Sequence, residues 1–215
     1  MNTNKRMIVI VILFASILTL SCNLSLKAGP ANTPAPIPPT PIPGWEKFSG
    51  GGVELWMPDS FEGGDLANDL DVILERLRAL GSQFQQMADM IEQNSSAFVL
   101  LVYDTDVGSS GFLTNVNVVK EKVLSGMTLD TYLDSSVGQL TPLGFSVSER
   151  KIVQLYSYEA GRLVIEASAL KAKEVMYVIK AKNTMWVITY TTGTSEFASR
   201  LAIFEKSANT IRIQP

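Results

Sequence analysis

The chain has 215 residues, no histidine, a single cysteine and a formal net charge of −3. Without histidine there is no Ser-His-Asp triad, no Cys-His dyad and no histidine metal site. The mildly acidic balance lacks the basic footprint that nucleic acid requires.

In chain order, the first feature is an export signal. Lys5 and Arg6 precede an uncharged apolar run of 14 residues, Met7 to Leu20. As a helix that run is about 21 Å long, short of the roughly 30 Å of a bilayer core, which suits a secretory h-region behind a basic n-region. Leu18-Thr19-Leu20-Ser21-Cys22 follows. It resembles the lipobox of bacterial lipoproteins, with Thr19 where that family usually has an aliphatic residue. The resemblance implies cleavage before Cys22 and diacylglycerol on its thiol, so residues 1–21 are the signal peptide. Two acyl chains anchor a protein stably, at about 0.8 kcal/mol per buried methylene. Loss of Lys5 and Arg6 with the signal takes the net charge from −3 to −5. With Cys22 lipidated, no thiol is left for a disulfide or for nucleophilic chemistry, and stability must come from a core.

Residues 22–43 form a tether. Pro30, Pro34, Pro36, Pro38, Pro39, Pro41 and Pro43 crowd it. Proline fixes φ and lacks an N–H, so the stretch favours extended polyproline II, at about 3.1 Å per residue. A semi-rigid stalk is the reading preferred over a ligand for proline-recognition modules.

Residues 44–215 are expected to form one domain. Residues 45–58 read as one or two short strands. Residues 65–93 read as one long helix, followed by strands at 97–103 and 115–119. A second helix is expected at 129–140, N-capped by Thr128. A β-meander follows at 146–156, 162–170, 175–181 and 185–191, with Gly161 and Asn183 at turns. A last helix is expected at 195–210, with Phe197, Leu201, Phe204 and Ala208 on one stripe. Short connections favour antiparallel pairing. The fold class is therefore α+β: a mostly antiparallel sheet with a long N-terminal helix and a C-terminal helix packed on it.

Three stretches resemble the PsbP-like superfamily, which includes the PsbP subunit of photosystem II, the nuclear transport factor Mog and many bacterial lipoproteins. They are Gly52-Val53-Glu54-Leu55-Trp56-Met57-Pro58, the pair Asn115-Val116-Asn117-Val118 and Thr128-Leu129-Asp130-Thr131-Tyr132-Leu133, and the closing stretch Phe204 to Ile213. The group has no shared catalytic residues, and its members mostly bind other proteins. The resemblance therefore implies a non-catalytic scaffold or adaptor without a cofactor.

Within the long predicted helix, Leu66, Leu70, Ile73, Leu77, Leu80, Phe84, Met87 and Ile91 follow an unbroken 4-3 spacing. This stripe either lies on the sheet as core or overhangs it to pair with a partner or a second copy. Its C-terminal half is the end more suited to exposure, so Leu80, Phe84, Met87, Met90 and Ile91 are the candidate partner or ligand contacts. Gly81 costs about 1 kcal/mol relative to Ala in mid-helix and marks a kink or close approach. Asp104-Thr105-Asp106 opens like a calcium loop, but Ser109 and Asn115 stand where Gly and Glu are required. A polar loop is the better reading. The aromatic residues Trp45, Trp56, Phe98, Tyr103, Tyr156, Tyr158, Tyr177, Trp186 and Tyr190 sit mostly in predicted strands. Most read as core, and a subset could line an apolar groove between the long helix and the sheet. Lys171-Ala172-Lys173 and Lys180-Ala181-Lys182 read as solvated hairpin ends.

The expected function is that of an exported cell-envelope lipoprotein, held to the membrane through diacylglycerol on Cys22 and facing outside the cytoplasm. Its domain would act as a non-catalytic protein-interaction or scaffold module. The alternative is a binding protein for a small apolar ligand in a cleft between the long helix and the sheet.

Overall fold

Alternation along the central strands sets the layers. In β8 (Ala172–Ala181), Met176 and Val178 enter one core, while Val175, Tyr177 and Ile179 enter another. β9 (Thr184–Gly193) behaves likewise, with Met185 and Val187 on one face and Trp186, Ile188 and Tyr190 on the other. Such strands are apolar on both sides because both faces of their sheet are covered. The computed structural model describes residues 41–214; Cys22, the signal peptide and the tether up to residue 40 lie outside them.

The remaining strands are β1 (Trp45–Gly50), β2 (Val53–Pro58), β3 (Phe61–Asp65), β4 (Phe98–Asp104), β5 (Asn115–Lys122), β6 (Ser146–Leu155), β7 (Tyr158–Ala167) and β10 (Arg212–Ile213). Seven form an antiparallel sheet in the order β3-β4-β5-β9-β8-β7-β6, and three form a small sheet in the order β1-β2-β10. The helices are α1 (Leu70–Ala79), α2 (Ser82–Gln93), α3 (Leu129–Leu140) and α4 (Phe197–Ala208). α1, α2 and α3 cover one face of the large sheet, and the small sheet with α4 covers the other. The architecture is α+β with antiparallel sheets, as the strand spacing predicts.

The predicted meander and the last two helices stand close to their expected bounds, but the meander's first turn falls at Tyr156 and Ser157. Gly161, expected at that turn, lies instead inside β7, paired with Ile152 and Val178. Thr128 caps α3 as expected, its hydroxyl accepting the Thr131 N–H at 3.1 Å. Lys171 and Lys182 sit at the hairpin ends with φ of 54° and 56°.

The single long helix predicted over 65–93 is corrected. Its first residue belongs instead to β3, which pairs with β4. The Asp65 carboxylate accepts the Ala67 N–H at 2.9 Å, a local turn that ends the strand before α1 begins. At Gly81 φ reaches 137°, a conformation closed to helix, and the chain starts again as α2. The two helices then pack on each other, and Arg78 on α1 reaches Asp89 at 3.0 Å and Glu92 at 2.7 Å on α2. The 4-3 stripe survives the break because both helices bury it against the same sheet.

On the opposite face, α4 is docked by polar pairs near both ends. Arg200 pairs with Asp104 of β4. Arg162 of β7 pairs with Glu149 of β6 and, at 3.0 Å, with Glu205 of α4. In the last turn of α4, the Tyr190 and Ser207 hydroxyls lie 3.0 Å apart. β10 closes the small sheet by pairing with β2, and the Gln214 N–H donates to the Gly52 carbonyl at 2.8 Å.

Candidate functional site

The face of the large sheet beneath the helices is not uniformly apolar. Strand register lines up Tyr103, Asn115, Thr191 and Glu174 as one row across β4, β5, β9 and β8. The next row holds Leu101, Asn117, Thr189 and Met176. All eight side chains are buried. A polar strip thus crosses a hydrophobic layer near one end of these strands, where each polar group needs a partner.

Some have one. Asn115 Nδ2 donates to the Leu113 carbonyl at 3.0 Å. Glu174 takes a hydrogen bond from Thr191, yet burial dominates and pushes its carboxyl up to about 7. Others have none: Tyr103 Oη and Asn117 Oδ1 are buried without a hydrogen-bond partner. Burial pushes the Tyr103 phenol up to about 12, and the nearby Glu62 carboxylate adds to the effect.

Both unpaired groups line a cavity of about 10 Å³ between the helices and the sheet. α1 and α2 contribute Leu77, Met87 and Ile91 to its roof; its floor and sides come from Phe98, Leu101 and Tyr103 of β4 and from Leu113, Asn115 and Asn117. That volume suits about one water molecule.

The five candidate contact residues divide. Met87 and Ile91 line the cavity. Phe84 is buried in the same core, Leu80 packs against it half-buried, and Met90 is buried as well. The stripe is therefore core packing, and the overhanging helix end is not what the fold builds. Of the aromatic residues, Phe98 and Tyr103 reach the cavity, whereas Tyr177, Trp186 and Tyr190 belong to the core on the other face.

Sequence reasoning missed the polar strip. The alternation Asn115-Val116-Asn117-Val118 was its visible trace: Val116 and Val118 enter the core shared with α4, and both asparagines face the helices. Such alternation ordinarily signals a strand with one wet face. Here the strand is central and neither face is wet.

The polar loop before β5 is fastened. Glu196 Oε1 accepts the Ser110 N–H at 2.9 Å, and this bond holds the Glu196 carboxyl below the usual carboxylate range. Asp104, the first residue of the calcium-like stretch, is engaged by Arg200. Among the described residues no cluster of three or more acidic, Cys or His side chains could hold a metal ion. No described helix is long and apolar enough to cross a membrane.

No family model and no curated protein matches the chain. Among solved structures, the solution structure of cyanobacterial PsbP (CyanoP) from Synechocystis sp. PCC 6803 aligns with a TM-score of 0.50 and 10% identity, over 84% of this chain and 98% of that one. LpqN, involved in cell envelope biogenesis of Mycobacterium tuberculosis, aligns with a TM-score of 0.48 and 13% identity, over 76% of this chain and 83% of that one. The likeness to CyanoP shows a PsbP-like fold.

Proposed function

We propose that this chain is an exported cell-envelope protein, anchored by diacylglycerol on Cys22, whose PsbP-like domain is a non-catalytic protein-interaction or scaffold module. Anchoring is supported by the basic start, the uncharged run Met7 to Leu20 and the lipobox-like residues before Cys22. A non-catalytic role is supported by the absence of histidine from the chain and by the scaffold role that the PsbP-like resemblance implies.

The observation that carries the interaction role is Tyr156, in the turn between β6 and β7. It is 47% exposed and held at φ 48°, with its ring 3.9 Å from the Arg212 guanidinium. An aromatic ring presented to solvent and braced by arginine is the kind of group that dominates protein interfaces. Crosslinking in intact cells should capture one partner with the wild type and lose it with Tyr156→Ala. Cys22→Ser should shift the protein from membranes to the soluble fraction. Equal capture by the Tyr156 variant would refute the interaction surface, and continued sedimentation of the Cys22 variant would refute the anchor.

The second reading, a small apolar ligand between the helices and the sheet, is favoured by Tyr103 Oη and Asn117 Oδ1, unpaired beside the cavity.

A further inference from the structure

The cavity beneath α1 and α2 carries two unused polar atoms of opposite character. Tyr103 Oη has a hydrogen to donate, and Asn117 Oδ1 can only accept. The residues are diagonal neighbours on β4 and β5, since Tyr103 pairs with Asn115 and Leu101 with Asn117. Their side chains are 1% and 7% exposed. The Asn115 Nδ2 beside them already donates to the Leu113 carbonyl. The roof above, Leu77, Met87 and Ile91, is hydrocarbon and thioether. A buried polar atom left unpaired costs about 1–3 kcal/mol, and two at one cavity call for a shared partner.

We propose that this cavity is the binding site of an apolar molecule ending in a hydroxyl, such as a fatty alcohol or a glyceride headgroup. The proposal rests on the second reading above and stands apart from the adaptor role. The ligand hydroxyl accepts from the Tyr103 O–H and donates to Asn117 Oδ1, and its carbons lie against Leu77, Met87 and Ile91. A buried water makes about two to four hydrogen bonds, so two polar atoms are the fewest that would hold one. A hydroxyl needs no more than one donor and one acceptor. A carboxylate would be repelled by Asn117 Oδ1, and no cation lines the cavity to balance it.

The roof must part to admit a chain, since the closed volume is about 10 Å³. Leu77 and Ile91 hold it down through core burial, and its polar tie to the sheet is weak. α1 is tied to β3 by Arg76 and Glu62, 3.0 Å apart and 56% and 41% exposed, and exposed pairs of this kind contribute little. Met87 is unbranched and half-buried, a side chain that adapts to new neighbours.

The test is titration of the full chain, held in amphipol and labelled at methionine methyls, with 1-hexanol, read at the Met87 methyl resonance. The expected result is a saturable shift, with Kd raised about tenfold by Tyr103→Phe and by Asn117→Leu. Tyr103→Phe keeps the ring and the fold, so it decides the matter if Asn117→Leu fails to fold. A non-saturable response would show a cavity for water only and overturn the proposal, as would undiminished affinity in Tyr103→Phe. Neither outcome touches the crosslinking result at Tyr156.

Discussion

Gly161 of β7 lies directly under Leu133 of α3: a Cβ at position 161 would stand 2.7 Å from both Leu133 methyl carbons. Leu133 is fully buried in the core under α3. The missing side chain is therefore what lets α3 approach the sheet. Gly161→Ala should destabilise the domain by about 1–3 kcal/mol, the usual range for overpacking. Pairing it with Leu133→Val should return part of the loss. Urea unfolding midpoints of the two variants measure this, and an unchanged midpoint in the single variant would contradict the close approach.

Gly81 separates two accounts of the N-terminal helical region by the sign of one substitution. In a continuous helix, Gly81→Ala would stabilise by about 1 kcal/mol. At φ 137° the same change introduces strain and should destabilise by at least that much. The direction of the shift in denaturant midpoint is the measurement.

Arg200 neutralises an Asp104 side chain that is only 3% exposed. Arg200→Ala strands that carboxylate and should cost about 3 kcal/mol. The double variant Asp104→Ala/Arg200→Ala removes both charges and should be more stable than the single one. A double-mutant cycle on thermal unfolding reports the difference.

Glu174 makes stability depend on pH in an unusual direction. Its carboxyl is pushed up to about 7 by burial, above the ordinary 4.5. Burial also raises Glu121, against the hydrogen bond it takes from Tyr132. Between pH 4.5 and 7 the folded state holds protons that the unfolded state has released. Stability should therefore fall as pH rises through this window, by on the order of 2–3 kcal/mol from Glu174, and level off above it. Glu174→Gln should flatten the slope, as unfolding free energies at pH 5 and pH 8 would show.

The elements legible in the sequence were those whose signal is local. The cap at Thr128, the hairpin spacing from Ser146 to Gly193 and the stripe of α4 each report a nearby partner. β3 was hidden because Phe61-Glu62-Gly63-Gly64-Asp65 has little β-propensity of its own. It is a strand because its partner β4 supplies the hydrogen bonds. The helix break was half legible: Gly81 was conspicuous, but the hydrophobic spacing runs through it without slipping. The candidate site was least legible. Tyr103, Asn117, Thr191 and Glu174 are far apart in the chain and meet only through register, and nothing local distinguishes a buried asparagine from a wet one.

The pairing of β10 with β2 has a consequence for how the domain comes into being. One edge of β2 stays open until residues 212–214 arrive, some 160 positions after it was made. Contacts of that range form slowly. If the chain is exported as proposed, the domain would thus stay unlocked during transit, and its final snap shut would happen on the far side.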